Sequence, residues 1–160
     1  MEDMGVILAP TDDAMKTWWD SSTGQLLRKR YGDNIEDLPT SIVAELLNNN
    51  FLEQLTMSLP SKFNESVYDD ANELMHLEVE DVRAGKIGCN GLVYFTKVVK
   101  EPAAFRSVLY PAVVNDKEMG VIKYIIEQLD YKAYLNALAA EYTLFLPTDV
   151  SMLTYVDPVS

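Results

Sequence analysis

An apolar run followed by Pro-Thr-Asp occurs twice in this chain, and the two prolines lie 137 residues apart (147 − 10 = 137). The corner residues are Pro10, Thr11 and Asp12 in the first copy and Pro147, Thr148 and Asp149 in the second. Proline has no N–H and ends the hydrogen bonding of a strand, while the Thr or Asp after it can accept from the free amides of a helix start. Each copy therefore predicts a buried strand, a corner and the first turn of a helix. The offset is that of a repeated domain rather than of a solenoid.

Helical periodicity occupies most of the chain around the two corners. Pro39-Thr40-Ser41 is typical of a helix start, and the apolar face after it reaches Asn48-Asn49-Asn50, where poor helix formers favour an end. Residues 116–140 predict a pair of helices, of which Asp116 is placed to cap the first. Their apolar stripes are Ile122, Ile125, Ile126 and Leu129, then Tyr131, Tyr134, Leu135 and Leu138. Residues 105–115 are predicted to be a connector.

A strand period of two replaces the helical period between these segments. Met75, Leu77 and Val79 alternate with polar residues, which predicts a half-buried strand. Residues 82–89 predict a second strand with a turn or bulge, and Asn90-Gly91 is a strong tight-turn signal before the apolar run 92–99. Together these runs predict a β-meander, and with the helices they predict an α+β fold.

Composition and charge exclude several function classes. Lys and Arg total 13 and Asp and Glu total 25 among 160 residues, and a net charge of −12 repels nucleic-acid phosphates. No apolar run approaches the ~18 residues of a transmembrane helix. Cys89 is the only cysteine and His76 the only histidine, so neither an internal disulfide nor a zinc cage can form. The acidic runs have no calcium-loop spacing and indicate a solvated face. The sequence thus predicts no catalytic, cofactor-binding or metal-binding residue.

Two features have the chemistry of a partner-binding surface. Trp18 and Trp19 are adjacent, so on a helix they point about 100° apart, and one can enter the core while the other offers a flat apolar face to a sugar ring or a protein. Arg28, Lys29, Arg30 and Tyr31 form a basic cluster that could steer an acidic partner. The same run before Gly32 also has the pattern of a helix end, where the helix dipole favours cations. For the tryptophans, packing in the core is the competing interpretation.

Two stretches resemble the signatures of one known family. Residues 9–15, Ala-Pro-Thr-Asp-Asp-Ala-Met after an apolar run, resemble the first signature of the fasciclin-like (FAS1) domain. Residues 89–98, in which Asn90 and Gly91 precede an apolar strand, resemble its second. Domains of this family have about the length of the observed offset and commonly occur in tandem. The resemblance implies a FAS1-like mixed sheet or β-wedge with packed helices.

Two departures from the family pattern bear on the expectations. The Tyr-His pair that the family usually carries between its signatures corresponds here to residues 46–51, which contain no His, so adhesive residues are not carried over. The family's opening helices do not precede Gly5 and appear instead at 116–140. This order of helices and signatures implies that residues 1–104 are most of one repeat and that residues 116–160 open the next, as in a piece of a longer tandem protein. Alternatively, helices 116–140 complete the first repeat and leave one Pro-Thr-Asp strand free for self-association with a neighbouring chain.

The resemblance, rather than any single residue, supplies the functional expectation. It implies a non-enzymatic module for adhesion that binds a protein or a glycan at an extracellular or cell-envelope surface. Bacterial members are often exported or lipid-anchored. Two alternatives stay open: a carbohydrate-active enzyme that uses a carboxylate pair near Trp18 or Trp19, and a structural spacer without a ligand.

Overall fold

The computed structural model describes residues 4–69, 72–115 and 117–156. Within these residues the fold is α+β, as the sequence predicts, with eight α-helices and an open four-stranded mixed sheet. The chain divides into two compact units, Met1–Pro102 and Ala103–Ser160. None of the helices in the described ranges has the length and apolar character to cross a lipid bilayer.

The first unit contains the sheet and four of the helices. Its elements are β1 (Gly5–Pro10), α1 (Asp12–Trp19), α2 (Ser22–Tyr31), α3 (Thr40–Asn49), β2 (Phe51–Leu52), α4 (Phe63–Ser66), β3 (Val82–Ile87) and β4 (Gly91–Thr96). The predicted helix after Pro39 is α3, and it ends in the asparagine run as expected.

The sheet has the strand order β2-β1-β4-β3. β1 pairs antiparallel with β2 and parallel with β4, whereas β3 and β4 form an antiparallel hairpin. A register shift between Val82 and Ala84 is the irregularity that the glycine-containing run predicts. One face of the sheet carries the core, in which the Phe63 and Tyr94 rings meet edge to face at 5.4 Å. The core residues are Val6, Leu8, Leu52, Phe63, Val67, Leu77, Leu92 and Tyr94.

The first Pro-Thr-Asp corner folds as predicted. Thr11 has extended backbone angles, φ −68° and ψ 161°, and its hydroxyl accepts the Ala14 amide at 3.3 Å. The Thr11 amide donates to the Thr96 carbonyl at 2.9 Å, which joins the corner to the end of β4. Strand, corner and helix start therefore follow one another directly, because proline ends β1 and threonine caps α1.

The predicted strand over Met75–Val79 is wrong. His76 has a φ of 47°, and residues 79–81 form a 3₁₀ turn in which the Asp81 carboxylate accepts the Glu78 amide. Lys100 Nζ donates to the His76 carbonyl at 2.9 Å and to Asp81 Oδ2 at 2.8 Å. These contacts hold the segment in a bend, in which Leu77 belongs to the core cluster, Met75 packs against it and Val79 is exposed. The sheet is consequently a hairpin beside a parallel strand rather than a meander.

The Asp81 carboxylate is shielded and strongly partnered in this bend. Burial would raise the pKa of the Asp81 carboxyl, but hydrogen bonds from Lys100 and from the Glu78 amide, together with the charges of Lys100 and Lys97, outweigh it. The pKa therefore lies below its ordinary value of 3.8.

The second unit is helical in its described part. Its elements are α5 (Tyr110–Val114), α6 (Gly120–Gln128), α7 (Lys132–Asn136) and α8 (Asp149–Leu153). α6 and α7 are the predicted helical pair, whereas the segment predicted as a connector contains α5 with Ala112, Val113 and Val114 buried. The predicted cap Asp116 lies outside the described residues. At the start of α6 the Asp149 carboxylate accepts the amides of Gly120 and Val121, at 3.1 and 2.9 Å.

The second Pro-Thr-Asp corner repeats the cap of the first without its strand. Thr148 has φ −71° and ψ 159°, and its hydroxyl accepts the Ser151 amide at 3.3 Å. Residues 142–147 are not in a strand, and no backbone hydrogen bond joins them to the described part of the chain. The strand prediction is therefore wrong for this copy, because the described residues provide no strand beside it.

Candidate functional site

The two tryptophans at the end of α1 have different environments. Trp18 is 5% exposed, and its indole N–H donates to Glu101 Oε1 at 2.7 Å. Trp19 is half-buried, and its indole N–H donates to the Asp33 carbonyl at 3.1 Å. One ring is therefore in the core and the other is nearer the surface, packed against the segment after α2.

The Trp19 ring is held between α1 and α2. The Arg28 guanidinium lies 5.2 Å from the ring centroid, a cation–π distance, and also pairs with Asp20. A close approach of the two helices brings Arg28 there: a Cβ on Gly24 would lie 2.3 Å from the Trp19 carbonyl oxygen. The ring orientation is thus fixed by a hydrogen bond, a cation and backbone packing.

An open cleft of about 430 Å³ lies beside the Trp19 ring. Carboxylate and amide side chains around the cleft can accept hydrogen bonds, and one cationic side chain lies among them. Met15 and Ile35 add apolar surface to the lining. The polar lining residues are Asp12, Lys16, Asp33, Asn34 and Glu36. A ligand in this cleft meets part of the Trp19 indole and an acceptor-rich rim of net negative charge, which suits hydroxyl or amino groups and disfavours anions.

The basic cluster forms the last turn of α2. Gly32 follows it with a φ of 117°, and the Gly32 amide donates to the Arg28 carbonyl at 2.9 Å. The helix-end interpretation of Arg28–Tyr31 is confirmed in its geometry. The structure brings Arg28 to Trp19, whereas Lys29, Arg30 and Tyr31 do not line the cleft.

A second, larger cleft was not predicted from the sequence. Its volume is about 590 Å³, and it lies where the end of α3, β2 and the segment around α4 meet. Phe51 and Tyr68, which are 53% and 47% exposed, line it together with Met57. The lining residues lie between positions 48 and 69 and form no motif, so the sequence contains no signal that they converge.

The residues of the second signature have a structural role beside β1. The Gly88 amide donates to the Gly91 carbonyl at 2.8 Å and closes the hairpin around Cys89 and Asn90. Gly91 pairs with Gly5, and a Cβ on Gly91 would lie 2.8 Å from the Gly5 carbonyl oxygen. Glycine at position 91 therefore permits the close parallel pairing of the two signature strands.

The remaining reactive side chains do not converge. Cys89 is exposed in the hairpin turn, and His76 is exposed in the bend before β3. Among residues 4–69, 72–115 and 117–156, no three His, Cys, Asp or Glu side chains are grouped so that they could hold a metal ion.

Comparison of the chain with protein-family models, with curated proteins and with solved structures gives no match.

Proposed function

We propose that the chain is a non-catalytic interaction module of the fasciclin-like type, which acts at an extracellular or cell-envelope surface and binds a neutral glycan in the Trp19 cleft. The half-buried Trp19 ring carries this proposal. It lines an open cleft, and its orientation is fixed before any ligand arrives by the hydrogen bond to the Asp33 carbonyl and by the Arg28 guanidinium over the ring. A preorganised aromatic face reduces the entropy lost on binding and suits the apolar face of a sugar ring.

The position of the two signatures supports the fasciclin-like part of the proposal. The strands that carry them are adjacent and parallel, and the Thr11 amide bonds to the last residue of β4. Gly91, which lies opposite Gly5, allows this pairing at the other end of the strands. The resemblance is thus carried by residues that build one local structure, and a FAS1-like wedge is the finer fold that we infer from them.

One observation favours a second candidate function. Three carboxylates, Asp12, Asp33 and Glu36, line the same cleft as Trp19. A carboxylate pair beside an aromatic platform is the arrangement that a glycosidase needs. This alternative predicts turnover of the bound glycan, whereas the module only binds it.

Binding to a panel of immobilised neutral and acidic oligosaccharides tests the proposal. We expect retention of neutral glycans and of none that carry sulfate or uronic acid. Because Asn34 and Glu36 are exposed rim residues, N34A and E36A should leave the fold intact and weaken binding about tenfold each, the loss of one good hydrogen bond. Lys29→Ala is the matched control, since Lys29 is equally exposed and lies outside the cleft.

Three results would count against this assignment. Release of new reducing ends from a bound glycan, abolished in E36A, would favour the enzyme. Equal weakening by K29A and E36A would remove the cleft from the interaction. Absence of any bound glycan, with the fold confirmed by circular dichroism, would leave a protein ligand or the spacer interpretation.

A further inference from the structure

Residues 142–147 lie outside the helices of the second unit, and their backbone groups make no hydrogen bond to another backbone group among the described residues. No backbone hydrogen bond joins the segment to the described residues, yet it is apolar and Phe145 is 88% exposed. An extended apolar segment with a free backbone is a template for pairing with another strand. The segment ends at Pro147, beyond which Thr148 caps α8.

The first copy of the corner shows what such a segment pairs with. At the offset of 137 residues, Thr143 and Phe145 correspond to Val6 and Leu8 of β1. Val6 and Leu8 are 0% and 1% exposed because β1 lies in the sheet. The threonines that follow the two segments have backbone angles within 3° of each other, φ −68° and ψ 161° against φ −71° and ψ 159°. The two corners thus have the same cap geometry, but only the segment before the first corner is paired in a sheet.

We propose that residues 142–147 are a docking strand for a polypeptide strand with the sequence character of β4, which pairs with them in parallel. β4 is the parallel neighbour of β1, with Val6 opposite Leu92 and Leu8 opposite Tyr94. The occupant is therefore an Asn-Gly turn followed by alternating apolar residues. By correspondence, its apolar residues face Thr143 and Phe145.

The same correspondence fixes which amides pair with the occupant. In β1 the Leu8 amide donates to the Asn50 carbonyl on the β2 side, and successive residues of a strand point their amides to opposite sides. The Ile7 and Ala9 amides therefore point toward β4. Their counterparts, the amides of Leu144 and Leu146, face the incoming strand, and those of Thr143 and Phe145 point away from it.

Amide hydrogen exchange of the ¹⁵N-labelled chain with a hairpin peptide tests this directly. The probe has the sequence of residues 81–99 with Cys89→Ser, in linear and backbone-cyclised forms, because an isolated hairpin is only marginally stable. We expect exchange at Leu144 and Leu146 to slow at least about tenfold, the effect of a gained hydrogen bond, with Thr143 and Phe145 much less affected. A control peptide that also carries Ser in place of Leu92 and Tyr94 should give no protection.

Variants of the chain distinguish strand pairing from non-specific hydrophobic binding of the peptide. F145S should weaken peptide binding about tenfold, since it removes the side chain that corresponds to buried Leu8. Y124S is the matched control, because Tyr124 is exposed on α6 of the same unit and should bind the peptide as the parent does.

Four outcomes would overturn the proposal. The first is that neither peptide slows amide exchange at residues 143–146 at about 1 mM, and the second is that exchange slows equally at all four residues. The third is that F145S and Y124S weaken peptide binding equally. The fourth is that exchange slows without any peptide while the measured molecular mass doubles. The last outcome would assign the position to a second copy of this chain.

Discussion

Replacement of Gly24 by Ala tests the close packing that places Trp19. Gly24 lies in the first turn of α2, and a Cβ there would lie 2.3 Å from the Trp19 carbonyl oxygen, 2.6 Å from its carbon and 2.7 Å from the Trp18 carbonyl oxygen. Real Cβ atoms do not approach backbone atoms so closely, and the backbone cannot rotate away as a side chain does. α2 must therefore move away from the end of α1.

Two opposing terms set the size of the effect. Gly→Ala inside a helix ordinarily stabilises by about 0.5–1 kcal/mol through helix propensity. Overpacking costs about 1–3 kcal/mol, and the upper end applies here because all three contacts are with backbone and Leu27 of α2 is fully buried. The net expectation is a loss of about 2 kcal/mol in the free energy of unfolding, the reverse of the usual sign.

Urea unfolding followed by tryptophan fluorescence and by circular dichroism measures this loss. A decrease of about 2 kcal/mol corresponds to a midpoint shift of about 1 M urea, and the native fluorescence should change because Trp19 moves. S22A, an exposed substitution in the same turn, should change stability by less than about 0.5 kcal/mol. A neutral or stabilising G24A would refute the close approach of the two helices, and with it the account of how Trp19 is fixed.

Two further predictions concern the helix caps and the partly buried Asp81–Lys100 ion pair. T11A should lower the free energy of unfolding by about 1 kcal/mol, whereas T11S should retain it because serine also caps a helix. Equal losses in T11A and T11S would exclude a hydroxyl cap at this position. At the second corner, T148A should speed hydrogen exchange of the Ser151 amide. The Asp81 pKa is lowered in the folded state, so ionised Asp81 stabilises the fold. This contribution to the free energy of unfolding is fully present above about pH 3.8 and is lost as the pH falls through the lower folded-state pKa. D81N should therefore be less stable than the parent at pH 7 and converge with it in acid, whereas a constant difference across this range would contradict the linkage.

Local signals in the sequence predicted the features that depend on neighbouring residues. The corner at Pro10 and Thr11, the end of α3 in the asparagine run and the tight turn before β4 each need only a few adjacent side chains, and all three are present. Helix geometry allowed the division of the two tryptophans but did not decide between it and packing of both rings.

The features that the sequence did not predict depend on distant partners. The alternation of Met75–Val79 has the period of a strand, but Lys100, more than twenty residues away, holds the segment in a bend. The Trp19 cleft gains Asp33 and Asn34 from the segment after α2, and no spacing rule connects them to α1. Residues 142–147 have the sequence pattern of a strand, but whether they form one depends on a second strand lying beside them.

The parallel ladder of the first unit also sets an order of events during synthesis. β1 begins at Gly5 and its partner β4 begins at Gly91, so 86 residues separate the two strands (91 − 5 = 86). At roughly 5–20 residues per second, β1 leaves the ribosome roughly 4–17 s before β4 exists. During that interval the edge of β1 that pairs with β4 has no partner, and the Val6 and Leu8 side chains cannot reach their native burial. The native sheet of this unit can therefore form only after the β3–β4 hairpin has been synthesised.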